Sequence, residues 1–231
     1  MLLKESSWFR LYGKFISTSK ACLILNGEVK DYNKLKGIIE QEKYNTVIAI
    51  DGGANHLDKM RIKPDYVVGD LDSIDEKVFE NLKEMGVEYY KYPRKKDETD
   101  SELGILLAVE LGNMCIDMYA ALGGRIDHEL SNIGLLYYIL KKGVYPRIIT
   151  ETEDIYILEN DEITIEGKIG DIISVIPFKG DANGVTLRDL EYPLDEFDLE
   201  YSTPRGISNV MLDTACHINV RDGCILIVKQ K

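Results

Sequence analysis

A chain of 231 residues with 45% hydrophobic and 29% charged side chains can bury a real core, as one large domain or two small ones. Its formal net charge of −12 argues against a nucleic-acid backbone as the main partner, because neutralising phosphate takes clustered Lys and Arg; an anionic substrate would need a local site with metal help. Cys22, Cys115, Cys216 and Cys224 have no zinc-type spacing and read as reduced core residues, and no apolar run approaches the roughly 20 residues of a membrane span.

The opening, Met1–Lys20, carries Lys4, Arg10, Lys14 and Lys20 but no signal-type apolar centre, so the cytoplasm is the expected location, with no membrane partner. Cys22–Leu25 is an apolar strand ending in the turn signal Asn26-Gly27. Tyr32–Glu42 reads as a helix with Leu35, Ile38 and Ile39 on one face, and Thr46–Ile50 as a buried strand ending in Asp51-Gly52-Gly53. A short helix over Asn55–Met60 precedes the strand Tyr66–Val68, which runs into Gly69, Asp70, Leu71, Asp72 and Ser73. In extended chain, Asp70 and Asp72 point the same way, which suits a hard divalent cation with phosphate oxygens. The plainer alternative is a solvated loop with Ser73 capping the next helix, Asp75–Met85, which Gly86 stops. Val87–Tyr92 resumes a strand before the polar Pro93–Glu98 loop.

Thr99–Leu111 reads as a helix opened by a capping box of Thr99 and Glu102, with Leu103, Leu106, Leu107 and Leu111 as its buried stripe. The strand Cys115–Leu122 ends in Gly123-Gly124. Asp127 could cap a helix whose Leu130, Ile133, Tyr137 and Leu140 face the core and which Gly143 ends; Pro146–Thr150 is a last strand. This alternation implies βαβ units on a mostly parallel, Rossmann-like sheet over residues 1–150, with ligands beyond the carboxyl ends of the strands. From Glu151 the texture changes to short strands, Asp154–Leu158, Ile163–Glu166, Ile172–Phe178 and Val185–Leu190. His217–Val220 and Cys224–Val228 then flank a hairpin at Arg221-Asp222-Gly223. Residues 151–231 are expected to form a small all-β sandwich domain, giving an α/β plus all-β chain.

No phosphate-binding glycine signature follows a strand, and no nucleophile triad can be assembled. What remains is a set of acidic and glycine-rich blocks at strand ends: Asp51-Gly52-Gly53-Ala54-Asn55, Gly69–Ser73, Lys96-Asp97-Glu98-Thr99-Asp100 and Gly123-Gly124-Arg125-Ile126-Asp127-His128. In this order they resemble the thiamine pyrophosphokinase family, and Leu190–Leu194 and Gly206–Asn209 extend the resemblance to roughly residues 20–230.

The resemblance implies transfer of the terminal pyrophosphoryl group of ATP to thiamine, releasing AMP, in a homodimer with sites at the subunit interface. It implies Mg²⁺ on Asp70, Asp72 and Asp100, although Asp100 also suits a helix's first turn as a stabilising acid. Asp51 would orient substrate or a metal-bound water, or is a turn residue. Gly52, Gly53, Gly123 and Gly124 allow close backbone approach to phosphate, or simply turn the chain. Arg125 is the natural phosphate fork, with Asp127 and His128 holding it or metal-bound waters. Asp97, Thr99 and Asn132 fall in the nucleotide-binding pattern, and Arg94 and Lys96 add positive charge that a loop usually just solvates. Ser208 and Asn209 point to thiamine, with Tyr192, where the family often has tryptophan, as a ring-packing aromatic or a buried strand residue. Asp72 or Asp100 could take the hydroxyl proton, or metal activation of the alcohol could suffice. The alternatives are a pyrophosphokinase of another heterocyclic alcohol, pterin-like, and a non-catalytic thiamine or nucleotide sensor.

Overall fold

The computed structural model describes residues 19–91 and 97–231, so Arg94, Lys96 and nearly all of Met1–Lys20 lie outside the described residues. The described chain divides into two compact units, Ser19–Glu151 and Thr152–Lys231.

In the first unit the elements run β1 (Lys20–Ile24), α1 (Tyr32–Glu42), β2 (Thr46–Ile50), α2 (Gly53–Met60), β3 (Tyr66–Gly69), α3 (Glu76–Glu84) and β4 (Glu88–Lys91). They continue with α4 (Asp100–Glu110), β5 (Cys115–Tyr119), α5 (Ile126–Lys141) and β6 (Tyr145–Ile149). The strands are all parallel, in the order β6-β5-β1-β2-β3-β4. Helices cover both faces, which is why β1 is apolar without alternation, Ala21 to Ile24 being fully buried. α1, α2 and α3 pack over Cys22, Ile24, Ala49 and Val67. α4 lies on the other face, so close that a Cβ on Gly104 would fall 2.1 Å from Ile50 Cδ1.

Chain order runs outward from β1 to β4 and then restarts on the other side with β5 and β6. The carboxyl ends of β1 and β5 therefore mark the switch point of the sheet. Their loops are stitched together: Gly27 N donates to Ala120 O at 2.7 Å and Glu28 N to Leu122 O at 3.0 Å.

At the opposite ends of these strands lies a buried charge network. Arg147 on β6 donates to both carboxylate oxygens of Asp117 on β5, at 3.0 and 2.7 Å, and to Glu42 at 2.9 Å. The Tyr44 hydroxyl donates to Asp117 at 2.6 Å, and Lys20 pairs with Glu42 and Asp117. Burial pushes the Asp117 carboxyl up, but Arg147, Lys20 and Tyr44 more than reverse this and hold it below the usual carboxylate range.

Two helix expectations are corrected. α5 buries Leu136 and Ile139, while Leu130 is 63% exposed, and α4 buries Leu103, Ile105 and Leu107 but leaves Leu111 exposed. Asp127 is not a cap: Arg125 holds the N-cap position and Asp127 lies in the first turn. Nor does Ser73 cap α3, whose N-cap is Asp75. Thr99 does cap α4, its hydroxyl accepting from Glu102 N at 3.2 Å.

The second unit comprises β7 (Glu153–Glu159), β8 (Glu162–Glu166), β9 (Ile172–Arg188), β10 (Leu194–Leu199), β11 (Asn209–Val210) and β12 (Ala215–Gln230), without a helix among the described residues. The expected hairpin at Arg221-Asp222-Gly223 is not there. β12 runs straight through it, with a register irregularity between Asp222 and Cys224, and β9 likewise joins two expected strands. Gly223 sits at φ +121 where a Cβ would lie 2.7 Å from Asp181 O, so this glycine lets the strand bend against its neighbour rather than reverse. The first half of β12 pairs with β8 and the second half of β9; its last half pairs with β7 and the first half of β9. All four cysteines are buried thiols outside any disulfide, and burial pushes the Cys216 and Cys224 thiols up to about 12.

Candidate active site

The carboxyl ends of β2 and β3 bring Asp51, Asp70 and Asp72 together, each offering an oxygen within 4.8 Å of the others. Asp100, the first residue of α4, borders the same place. A Cβ on Gly69 would lie 3.2 Å from Asp51 Cβ and 3.3 Å from Asp100 Cγ. Gly69 takes φ +144, so it is the residue that lets both carboxylates close over the end of β3.

The convergence of Asp70 and Asp72 has a different cause from the expected extended alternation. Leu71 between them is left-handed, φ +69, and Asp70 Oδ1 accepts from Asp72 N at 3.1 Å, so a turn gathers the two acids. Asp51 is left-handed as well, φ +46. Non-glycine residues in this region are uncommon, and such backbone concentrates at functional sites.

Electrostatics agree with the geometry. Burial, the largest influence, holds the Asp51 carboxyl above the usual range; the charges of Asp70 and Asp100 push the same way, against hydrogen bonds from Ser73. Asp51 Oδ1 is buried and accepts no hydrogen bond among the described residues. A buried, unsatisfied oxygen beside like charges is what a cation would relieve. The all-oxygen donor set matches a hard divalent ion of the Mg²⁺ kind, so the residues fit that group.

The glycine pairs divide in role. A Cβ on Gly53 would lie 2.0 Å from Ile24 O and one on Gly52 2.5 Å from the Asn26 side chain, so this pair lets α2 start hard against the end of β1. Gly123 N donates to Glu129 Oε1 at 2.9 Å, while Gly124 is exposed at φ +121. Arg125 is exposed and forks onto Asp127 at 3.1 and 2.5 Å; His128 N also donates to Asp127. Asn132 donates to Ala121 O at 2.7 Å, bracing the loop after β5. Asp97 and Thr99 precede α4, both exposed.

In the second unit, Asn209 is buried and clamps Tyr192 in both directions: Tyr192 N donates to its Oδ1 at 2.9 Å and its Nδ2 to Tyr192 O at 2.8 Å. Tyr192 itself is 64% exposed in a bend, not the buried strand residue allowed for. Both line a cavity of about 290 Å³ with Leu187, Phe197, Arg205 and Ile207. Ser208, left-handed at φ +56, is held through its N–H by Ser174 Oγ at 3.0 Å.

Three supporting residues escaped sequence reasoning. Asn55 bonds the Asp70–Asp75 loop, Glu129 holds Gly123, and His56 accepts from Tyr32 at 2.8 Å while donating to Gly27 O at 2.9 Å. Asn55 and His56 lie within or beside a glycine-acid block, which is the one signal that marked them.

Two family models match the chain: "Thiamin pyrophosphokinase, catalytic domain" over residues 39–147 and "Thiamin pyrophosphokinase, vitamin B1 binding domain" over residues 158–225. The thiamine pyrophosphokinase of Bacillus subtilis (strain 168) is 29% identical over 189 residues, covering 81% of this chain and 88% of the relative. Thiamine pyrophosphokinase 1 of Oryza sativa subsp. japonica is 29% identical over 198 residues, covering 74% of each. The crystal structure of the Bacillus subtilis protein superposes with a TM-score of 0.82 at 26% identity, over 92% of this chain and 99% of that one. Yeast thiamin pyrophosphokinase superposes at 0.80 with 20% identity, over 96% and 89%, a likeness of fold alone.

Proposed function

The chain belongs to the thiamine pyrophosphokinase family, and from that premise we infer that it transfers the pyrophosphoryl group of ATP to the hydroxyl of thiamine, giving thiamine diphosphate and AMP. The observation that carries this reading is the Asp51, Asp70, Asp72 cluster bordered by Asp100, at strand ends where α/β sheets bind ligands. Asp70, Asp72 and Asp100 would hold Mg²⁺, with the unsatisfied Asp51 oxygen turned to it or to a bound water. The ion, when bound, would neutralise charge on the phosphate oxygens.

The chain's own residues then orient and screen. The first N–H groups of α2, at Gly52 and Gly53, favour phosphate by helix-end polarity. Gly124 leaves backbone open to the nucleotide, Arg125 forks onto phosphate with Asp127 fixing its plane, and Asp97, Thr99, His128 and Asn132 complete the nucleotide side. Thiamine rests on Tyr192, Ser208 and Asn209, the Asn209 clamp presenting the Tyr192 ring beside the apolar cavity. The thiamine oxygen forms a bond to the β-phosphorus as the bond to the α-phosphate oxygen breaks, and its proton goes to Asp72 or Asp100.

The described residues of 1–150 would thus form the Rossmann-like catalytic domain, and 151–231 the β-sandwich that binds thiamine and dimerises, with sites at the interface of a homodimer. Buried cysteines outside any disulfide support a cytoplasmic location. Both family models and the curated relatives name thiamine, which favours it over a pterin-like alcohol and over a sensor. Incubation with thiamine, ATP and Mg²⁺ should yield AMP and thiamine diphosphate in equal amounts, and EDTA should abolish both. ADP in place of AMP would refute pyrophosphoryl transfer.

A further inference from the structure

We propose that Asn55 is a positioning residue for the acidic centre, fixing the separation between Asp51 and the Asp70–Asp72 turn; this rests on the metal reading given above. Asn55 lies in the first turn of α2, and its own N–H donates to Gly52 O at 3.0 Å, beside the bond from Ala54 N to Asp51 O at 3.1 Å. The backbone turn that carries Asp51 therefore also carries Asn55.

From there its side chain reaches across with both ends. Nδ2 donates to Ser73 O at 2.9 Å, and Oδ1 accepts from Asp75 N at 2.9 Å. These bonds grip the segment just after Asp72, between the carboxylates and α3. A side-chain amide carries a donor nitrogen and an acceptor oxygen on one carbon, so Asn55 spans two main-chain groups that a carboxylate or an alkyl group could not.

The segment it grips would not hold itself. Gly69 at φ +144 and Leu71 at φ +69 are both outside the ordinary strand and helix regions, and Asp70 and Asp72 repel each other and Asp51. Local bonds, Asp72 N to Asp70 Oδ1 and Ser73 Oγ to Asp72 Oδ1, shape the turn, and Ser73 leans on Asp51. Asn55 adds a two-point tie from α2 to the chain beyond them, without offering an atom to the cation. Partners that orient metal-holding side chains matter to metal affinity by 10–100-fold as a rule.

The test is Mn²⁺ titration followed by electron paramagnetic resonance on the full chain, without nucleotide or thiamine, so that no turnover is needed. N55A should raise the dissociation constant for Mn²⁺ at least about tenfold while circular dichroism and melting temperature show a folded protein. A second variant works from the other partner. Asp75 has φ −59 and makes no side-chain cap bond, so proline fits its φ, and D75P differs from D75A, which lacks the carboxylate too, chiefly by losing the N–H that Asn55 accepts. Against D75A, which keeps that N–H, D75P should weaken Mn²⁺ binding at least about threefold, a part of the N55A effect. N55A binding Mn²⁺ within twofold of wild type would overturn the proposal. Should N55A fail to fold, D75P matching D75A would overturn it equally. A wild-type chain that binds no Mn²⁺ would instead overturn the metal reading itself, a result distinct from either.

Discussion

Replacing Arg147 with Met should expose how the sheet tolerates Asp117. Arg147 gives Asp117 two hydrogen bonds, 3.0 and 2.7 Å, and Glu42 a third, while Asp117 is wholly buried. Removing one member of a buried pair costs about 3–5 kcal/mol, most of it the burial of the charge left behind. Lys20 at 3.3 Å and the Tyr44 hydroxyl at 2.6 Å stay with Asp117, which places the loss at the low end, about 3 kcal/mol. The loss should depend on pH with a definite sign. In the wild type the native Asp117 pKa is below the ordinary value of about 3.9, so its contribution is present above that pH and fades only as pH falls through the native value. In the variant burial is less opposed, and the native value rises above the unfolded one. Its contribution is then complete only below about pH 3.9 and is lost as pH climbs. Urea unfolding should therefore show a deficit that grows from about pH 4.5 to pH 7, with D117N in the same background recovering part of it. A deficit below about 1 kcal/mol at pH 7, or one equal at both pH values, would refute the argument.

Asp72→Asn should cut turnover at least about a hundredfold, the scale of removing one charge-stabilising group, with the circular dichroism spectrum unchanged; near-normal Mg²⁺-dependent activity would remove Asp72 from the centre. Asp51→Asn should stabilise the protein in EDTA. At 4.8 Å two like charges repel by about 0.9 kcal/mol in water and about 3.5 at an effective dielectric of 20, and Asn accepts the left-handed backbone, so a gain of about 1 kcal/mol is expected. Added Mg²⁺ should then raise the melting temperature of the wild type more than that of this variant, which keeps Asp70, Asp72 and Asp100; equal Mg²⁺ responses would count against Asp51. Light scattering under assay conditions should find a dimer, and a fully active monomer would contradict the interface site.

Much of the first unit was readable because its elements are locally marked. α1 and β2 begin and end at the expected residues, and Thr99 caps α4 as its threonine–glutamate spacing implied. The face of α5 was not readable. Ile126, Leu130, Ile133, Leu135, Leu136, Ile139 and Leu140 supply apolar residues all round the helix, so periodicity could not say that the sheet takes Leu136 and Ile139. In the second unit, Gly and Asp were read as punctuation. Gly223 instead bends one strand in place, and β10 went unseen because Leu194-Asp-Glu-Phe-Asp-Leu is mostly exposed and lacks alternation. At the candidate site the acids were legible as blocks, but the left-handed turn at Leu71 and the reach of Asn55 are matters of backbone shape and of contact across 18 and 20 positions. No local pattern encodes those.

The continuity of β12 also bears on how this protein comes into being. Its residues bond to β7, β8 and β9, with partners as distant as Gln230 and Glu153, and all of them are synthesised before it. Until β12 emerges, three strands wait with unpaired N–H and C=O groups, the kind of edge that recruits other chains. The interval between making Arg188 and making Ala215 is thus the time during which a nascent copy is most exposed to self-association. Slower translation there, or crowding of polysomes, would be felt as lost yield.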